Sequence, residues 1–125
     1  MARTRTTILL AEDDQLLREM YTLKLQNEGY AVVAAEDGEV CMTALAKQKP
    51  ALVLLDVIMP KRDGFSVLEA MKKDATLKNI PVILLTNLGQ EHDIERGKKL
   101  GANDYLVKAN LTPGQVVDKV KAILK

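Results

Sequence analysis

Apolar residues along this chain follow two alternating patterns. Largely apolar runs lie at 7–11, 30–35, 51–55, 82–85 and 105–107. Short runs without polar alternation are typical of strands that are buried on both faces of a parallel sheet. Between the runs, apolar residues recur at helical spacing over 14–28, 40–49, 64–73, 90–100 and 112–124. The pattern therefore predicts five strands, each followed by a helix.

Polar residues at the predicted helix starts support these boundaries. Asp14, Asp37 and Asp63 can each accept a backbone hydrogen bond as an N-cap. The segment 112–115, Thr-Pro-Gly-Gln, combines an N-cap threonine, a proline at the first helical position and a glutamine at the third. The weakest helix is 90–100, where the central Gly97 costs about 1 kcal/mol relative to alanine. The first helix is expected to bury Leu16, Leu17, Met20 and Leu23.

The alternation of strands and helices defines the expected fold class. It predicts an α/β domain in three layers, with helices on both faces of a doubly wound, five-stranded parallel sheet and with right-handed crossovers. The length of 125 residues fits one domain, which we place at 7–125. Residues 1–6 are basic and lack the apolar segment of a signal peptide, so we predict a short disordered lead.

Composition removes several classes of protein from consideration. With 18 Lys and Arg against 17 Asp and Glu, the formal net charge of +1 gives no bulk attraction to nucleic acid or to anionic membranes. No apolar run approaches the roughly 18 residues that a membrane-spanning helix requires. Cys41 is the only cysteine, which excludes an internal disulfide and favours a buried thiol in a reducing, cytoplasmic environment.

Charged and hydroxyl side chains follow four of the five predicted strands. Glu12 and Asp13 follow the first strand, Asp56 the third, Thr86 the fourth and Lys108 the fifth. These positions face one edge of a parallel sheet, where ligands bind in such folds. Clustered carboxylates repel one another, so they either raise a pKa or bind a cation, and carboxylate oxygens suit Mg²⁺. A hydroxyl and an ammonium beside them suit a phosphoryl group, which indicates phosphoryl transfer to a carboxylate.

The same residues carry a resemblance to a known family. The chain resembles the receiver domains of response regulators in two-component phosphorelay systems, the family of the chemotaxis regulator. The matching segments are Glu12-Asp13, the stretch 56–64 (Asp-Val-Ile-Met-Pro-Lys-Arg-Asp-Gly), Thr86, and 101–108 (Gly-Ala-Asn-Asp-Tyr-Leu-Val-Lys). The resemblance covers nearly the whole chain. It implies a flavodoxin-like, CheY-like fold with strand order 2-1-3-4-5, in which the first and third strands are neighbours.

The resemblance implies a metal-assisted phosphoacceptor. Asp56 would accept a phosphoryl group from a phosphohistidine of a sensor histidine kinase or a histidine phosphotransfer protein, or from acetyl phosphate. Asp13, Asp56 and the backbone carbonyl of Ile58 would hold Mg²⁺, with Mn²⁺ as a second candidate, and Glu12 would act through a metal-bound water. The domain would catalyse only its own phosphorylation and dephosphorylation, so we expect a signalling protein and not a conventional enzyme.

The resemblance also implies a switch. Thr86 and Lys108 would bind phosphoryl oxygens, and Tyr105 would be the switch aromatic that turns inward as Thr86 moves. Helix 90–100, the last strand and the last helix would form the responding surface for an unknown downstream protein. A phosphorylation-dependent homodimer through this surface is a further expectation. The weak apolar face of 90–100 independently favours a helix that repacks at low energetic cost.

Three departures from the family pattern bear on the site. Ala109 stands where the family usually has proline after a cis bond, which predicts a loop that is either trans and reshaped or strained. Asn87 replaces a small residue after Thr86, and it either restricts access to the phosphate or donates to it. Ile58 and Leu88 place apolar side chains where family members influence the hydrolytic water, which predicts slow self-dephosphorylation.

Two other functions stay open on the sequence alone. A receiver-fold interaction module could work without phosphorylation, although the complete set of strand-end residues argues against it. A flavin-binding electron carrier shares the topology, but it would need a hydroxyl- and glycine-rich loop after the first strand, where this chain has acids. Whether the receiver stands alone or belongs to a longer regulator or hybrid kinase also stays open. His92 is alone on a polar helix and is expected to be solvated, neither metal ligand nor phosphodonor.

Overall fold

The computed structural model describes residues 5–125, and residues 1–4 of the predicted disordered lead lie outside the described residues. All five predicted strands and all five predicted helices are present, with boundaries that shift by one or two residues. They are β1 (Thr7–Ala11), α1 (Gln15–Asn27), β2 (Ala31–Ala35), α2 (Gly38–Lys47), β3 (Leu52–Leu55), α3 (Gly64–Lys73), β4 (Val82–Thr86), α4 (Glu91–Lys99), β5 (Asp104–Val107) and α5 (Pro113–Leu124). A 3₁₀ turn, Lys108–Asn110, precedes α5. Across residues 5–125 we find no helix that is both long and apolar enough to cross a bilayer.

The five strands form one parallel sheet in the order β2-β1-β3-β4-β5. This confirms the predicted doubly wound, flavodoxin-like topology. Ala11 pairs in register with Leu55, so Glu12 and Asp56 emerge next to each other from adjacent strands. The Asp56 N–H donates to the Ala11 carbonyl at 3.0 Å, which extends the pairing to the first residue after β3. Thr86 ends β4 on the far side of β3, so acidic and hydroxyl side chains share one edge of the sheet.

The core consists of two apolar clusters, one on each face of the sheet. β3 and β4 are buried along their whole lengths, because helices cover both of their faces. Burial of one large apolar side chain contributes about 1.5–3 kcal/mol relative to exposure. The two central strands therefore hold the polar residues at their carboxyl ends in fixed positions. β2, at one edge of the sheet, is the least buried of the five strands.

The predicted N-caps form, and they hold the helix starts next to the strand ends. The side chains of Asp14, Asp37 and Asp63 each accept a hydrogen bond from the backbone N–H three residues later, at 2.8–3.0 Å. Thr112 and Gln115 form the predicted capping box of α5. A cap of this kind contributes about 1 kcal/mol.

The predicted buried face of α1 is wrong in part. Leu16 and Leu23 are 76% and 60% exposed, whereas Tyr21 and Leu25 are buried and Leu17 packs beside them. Both sets of residues repeat at helical spacing. Leu17, Tyr21 and Leu25 lie four residues apart and include a large ring, so burying their face removes more apolar area from water. Helix α1 is therefore rotated about its own axis relative to the predicted orientation.

Helix α4 has the weak apolar face that its sequence predicts, and Gly97 is its only buried residue. A Cβ at this position would lie 2.7 Å from Leu84 Cδ1 and 2.8 Å from Tyr105 Cδ2. The glycine therefore allows the backbone of α4 to approach the sheet closely. Also on α4, the Arg96 guanidinium lies 4.5 Å from the centroid of the Phe65 ring.

Candidate functional site

Three carboxylates meet at the carboxyl ends of β1 and β3. Glu12 and Asp13 follow β1, Asp56 follows β3, and one carboxylate oxygen from each lies within 4.8 Å of the others. Glu12 and Asp56 are only 2% and 6% exposed, while Asp13 is open to solvent. They line a cavity of about 240 Å³, here called the acidic cavity, together with Thr86 and Lys108. The structure thus brings together the residues that the sequence placed at four strand ends.

The ammonium group of Lys108 lies between two of these acids. Its Nζ donates to Asp56 Oδ2 at 2.7 Å and also to Glu12 Oε1. Burial lowers the pKa of Lys108, but the hydrogen bonds to Asp56 and Glu12 outweigh burial and raise the pKa above its ordinary value. Burial raises the pKa of Glu12, and the contact with Lys108 opposes that rise. A cation shared by two buried carboxylates reduces the repulsion between them.

The turn after β5 delivers Lys108 to the acidic cavity without a cis bond. Every peptide bond among the described residues is trans. Residues Lys108–Asn110 form a 3₁₀ turn that the sequence did not predict, and the Leu111 N–H closes it on the Lys108 carbonyl at 3.3 Å. Of the two outcomes predicted for Ala109, the structure shows the trans and reshaped loop. The reach of Lys108 is preserved in this arrangement, since its ammonium contacts both acids.

Two residues that support the site were given no role by the sequence analysis. Arg18 Nη1 donates to the carbonyls of Glu12 and Asp13, at 2.9 and 3.2 Å, and so holds the turn after β1. A Cβ on Gly64 would lie 2.2 Å from the Asp56 carbonyl oxygen, so glycine allows α3 to start directly against the end of β3. An arginine on a helix has no distinctive pattern in one sequence. Gly64 lies in the stretch 56–64 that resembles the family, and this resemblance is the only sequence feature that points to it.

Leu88 connects Thr86 to Tyr105 through its backbone. Its N–H donates to Thr86 Oγ1 at 3.4 Å, and its carbonyl accepts a hydrogen bond from the Tyr105 hydroxyl. Thr86 is completely buried, and Tyr105 is buried on β5. The Tyr105 hydroxyl is a hydrogen-bond donor at neutral pH even at its ordinary pKa of 10.0, and burial raises that pKa to about 12. The backbone of one residue, Leu88, therefore contacts both side chains.

The apolar residues near the site occupy two adjoining cavities. Ile58 lines the acidic cavity, as does Asn87, and the Ile58 N–H donates to Asp56 Oδ1 at 3.3 Å. Ile58 also lines a neighbouring cavity of about 290 Å³ together with Leu88. Ile58 is thus in direct contact with the acid, while the Leu88 side chain belongs to the adjoining cavity.

Two further side chains with reactive groups, His92 and Cys41, lie outside the acidic cavity. His92 is exposed, and its Nε2 lies 3.4 Å from Asp93 Oδ1 on the same helix. Cys41 is buried in α2, and burial raises the pKa of its thiol to about 12. Neither residue lines the acidic cavity.

Comparison with known proteins identifies the class of domain. The family model described as the response regulator receiver domain matches residues 8–121. The chain belongs to this family and is a receiver domain of two-component response regulators. Receiver domains of this family are signalling modules that interact with histidine kinases and downstream effectors.

Individual relatives agree with this class. The phosphate regulon transcriptional regulatory protein PhoB of Escherichia coli is 35% identical over 118 residues, which are 94% of this chain and 51% of that protein. The signal receiver domain of a signal transduction histidine kinase from Syntrophus aciditrophicus is 31% identical with a TM-score of 0.87, covering 95% of this chain and 89% of that one. The Mn²⁺-bound form of the response regulator Rcp1 is 32% identical with a TM-score of 0.75, covering 82% and 81%. The chain spans about half the length of the curated relatives it matches.

Proposed function

We propose that this chain, as a receiver domain over 7–125, is a phosphorylation-dependent switch in which Asp56 accepts the phosphoryl group. The donor is a phosphohistidine of a sensor histidine kinase or a histidine phosphotransfer protein, and acetyl phosphate is a small donor. One observation carries the proposal. The buried Asp56 carboxylate lies within 4.8 Å of the Glu12 and Asp13 carboxylates, and Lys108 Nζ is 2.7 Å from it.

The donor set fits a hard divalent cation. Glu12, Asp13 and Asp56 offer oxygen ligands, and the exposure of Asp13 leaves room for the waters that Mg²⁺ retains. The contact of the Lys108 ammonium with two of the acids supports a site that accommodates positive charge. Asp13, Asp56 and the Ile58 carbonyl would hold Mg²⁺ directly, with Glu12 acting through a water. Mn²⁺, the ion in the Rcp1 structure, suits the same oxygens. When bound, the ion supplies positive charge that neutralises phosphoryl oxygens.

The transfer step forms one bond and breaks one. A carboxylate oxygen of Asp56 attacks phosphorus and forms a P–O bond, while the P–N bond of a phosphohistidine donor breaks, or, with acetyl phosphate, the P–O bond to the leaving acetate. The imidazole nitrogen of the donor keeps the electron pair of the broken bond and takes a proton from solvent. Lys108 and Thr86 hold the transferred group, because an ammonium and a hydroxyl donate hydrogen bonds to phosphoryl oxygens.

In the proposed switch, a conformational change at the site reaches the surface through β4 and β5. When Thr86 moves toward the phosphoryl group, its contact with the Leu88 N–H changes, and the Leu88 carbonyl carries the change to the Tyr105 hydroxyl. Helix α4 contacts Tyr105 at Gly97 and buries no other residue, so it repacks at low energetic cost. The surface of α4, β5 and α5 then binds a downstream protein or a second phosphorylated copy.

Intact-mass measurement after incubation with acetyl phosphate tests this function. With Mg²⁺ the wild type is expected to gain the mass of one phosphoryl group, and EDTA should prevent the gain. Asp56→Asn should gain none, whereas the same change at the exposed Asp118 of α5 should leave the yield unaltered. An adduct that survives Asp56→Asn would assign the acceptor elsewhere. A wild type that forms no adduct would favour the phosphorylation-independent interaction module.

A further inference from the structure

The outer edge of the sheet, formed by β2, lacks the features that keep edge strands from pairing with other chains. Within residues 5–125, β2 pairs only with β1. Its sequence, Ala-Val-Val-Ala-Ala at 31–35, contains no charged residue and no proline. Charged residues and prolines are what usually prevents an edge strand from pairing with another chain. Val33 is 36% exposed, and Ala34 is exposed as well. The edge therefore offers free backbone groups and apolar side chains together.

An open groove flanks this edge on each face of the sheet. On the side of α2, a cavity of about 250 Å³ has apolar walls that include Leu9, Val33 and Val40. On the side of α1, a cavity of about 440 Å³ is lined in part by Leu23 and Ala34. Both helices thus leave the outer part of β2 uncovered. A strand added at this edge would point alternate side chains into the two grooves.

The hydrogen bonds within the sheet determine which backbone groups of β2 face outward. The Ala31 N–H and the Ala35 carbonyl both bond toward the β1 side, at 2.9 and 3.0 Å. Backbone groups alternate in direction along a strand, so those of Val33 also point toward β1. The N–H and carbonyl groups of Val32 and Ala34 point away from the sheet and are the ones that a further strand would meet.

We propose that β2 pairs antiparallel with β2 of a second copy of this chain, with a two-fold axis at Val33. In this register Val32 faces Ala34 of the second copy, and these two residues exchange backbone hydrogen bonds. Val33 faces its own counterpart as a non-hydrogen-bonded pair, and no charged side chain faces a like charge within the strand. The pairing uses no residue of the acidic cavity, so this dimer forms without phosphorylation of Asp56 and is separate from the proposed switch surface.

Charges on α2 complement one another across this interface. Glu39 lies in the first turn of α2 and Lys47 in the last, and both are exposed. Antiparallel pairing of β2 keeps the two α2 helices on the same side of the joined sheet and in opposite directions. Glu39 of each copy then faces the end of α2 that carries Lys47 of the other. A parallel pairing would put the helices on opposite sides and lose both ion pairs, so the charges select the antiparallel form.

Cysteine substitution tests the register. Val33→Cys is expected to give a disulfide-linked dimer under mild oxidation, because a non-hydrogen-bonded pair holds its Cα atoms about 4.5 Å apart, within disulfide range. Ala34→Cys should stay unlinked, because it faces Val32 of the second copy and not its own counterpart. The buried Cys41 is common to both variants. Equal linkage of the two variants, or none in either, on non-reducing electrophoresis would overturn the proposal.

Sedimentation velocity on the unphosphorylated full chain tests the interface itself. The wild type is expected to show a reversible monomer–dimer equilibrium, since pairing of one short strand buries less area than a standard interface. Ala34→Pro removes an outward N–H and leaves the ladder with β1 intact. The two-fold axis doubles the loss to two hydrogen bonds, so the dissociation constant should rise about thirtyfold.

Ala34→Ser is the matched control, because it keeps the N–H and should dimerise like the wild type. A wild type that stays monomeric up to near-millimolar concentration would overturn the proposal. So would a proline variant that keeps the native circular dichroism spectrum and dimerises as well as the serine variant.

Discussion

Replacing Gly97 in α4 by alanine would have two opposing effects on the stability of the protein. Replacing glycine by alanine in a helix interior is expected to stabilise a protein by up to about 1 kcal/mol, because glycine has more backbone freedom in the unfolded chain. At Gly97, however, the added Cβ would lie 2.7 Å from Leu84 Cδ1 and 2.8 Å from Tyr105 Cδ2. Both distances are about 1 Å shorter than an ordinary contact between carbon atoms.

The packing around Gly97 decides which effect is larger. Leu84 is completely buried in a central strand and cannot move without disturbing the sheet. Tyr105 could turn outward, but it would lose its hydrogen bond to the Leu88 carbonyl and the buried contacts of its ring. Overpacking of this kind costs about 1–3 kcal/mol, which exceeds the gain in helix propensity. Gly97→Ala should therefore lower the free energy of unfolding by about 1 kcal/mol and the thermal midpoint by roughly 5 °C.

Urea unfolding followed by circular dichroism measures this difference, with Gly114→Ala as the matched control. Gly114 lies in α5, and the nearest atom to an added Cβ there is Thr112 Oγ1, at an ordinary 3.9 Å. Gly114→Ala should therefore stabilise the domain, by about 0.5 kcal/mol. If Gly97→Ala stabilised the protein as much as the control does, the steric reasoning would be refuted.

The site and the core offer three further tests. Lys108→Met should lower the free energy of unfolding in EDTA by about 3 kcal/mol, because it leaves two buried carboxylates without their cation. Lys121→Met removes an exposed ion pair and should change the free energy of unfolding little. If both variants lost the same stability, burial of the carboxylates would not explain the effect of Lys108→Met. Replacing both Ile58 and Leu88 by asparagine should speed phosphate loss about tenfold, because a side chain can then orient the hydrolytic water; an unchanged half-life in a phosphate-release time course would reject this. Burial raises the pKa of the Cys41 thiol from 9.0 to about 12, so the native state keeps a proton that the unfolded thiol loses near its ordinary pKa of 9.0. This contribution to stability is present below the unfolded pKa and is lost as the pH rises toward 12. Between about pH 8 and 10, the stability of the wild type in urea titrations should fall by about 1.4 kcal/mol more than that of Cys41→Ala, and parallel curves would exclude the linkage.

The charged and hydroxyl residues of the acidic cavity could be predicted because they lie at the carboxyl ends of largely apolar strands. Parallel strands bring their carboxyl ends to one edge of the sheet, so the sequence positions of Glu12, Asp56 and Thr86 already implied that they lie close together. The N-caps were predictable for a related reason, since each depends on a hydrogen bond that spans only three residues. The chemical roles of these residues are proposals that the mass and stability experiments test.

The detailed packing between distant elements could not be predicted from one sequence. Helix α1 carries apolar residues on two faces, and only its packing against the sheet and α5 decides that Tyr21 is buried and Leu16 is not. The steric need for glycine at Gly64 and Gly97 arises from atoms of the Asp56 loop and of β4 and β5. In the same way, the turn that contains Ala109 keeps Lys108 in the site by a backbone form that no local pattern indicates.

Helix α4 reaches the core through a residue that has no side chain. When a packed helix moves, part of the penalty is the void that its side chains leave, at about 24 cal/mol per Å³. Gly97 occupies no such volume, and the large apolar residues Ile94 and Leu100 next to it are only partly buried. Displacement of α4 therefore leaves little empty space beneath it. Movement of α4 in the proposed switch would therefore cost little packing energy, and the strands that hold Asp56 would stay intact.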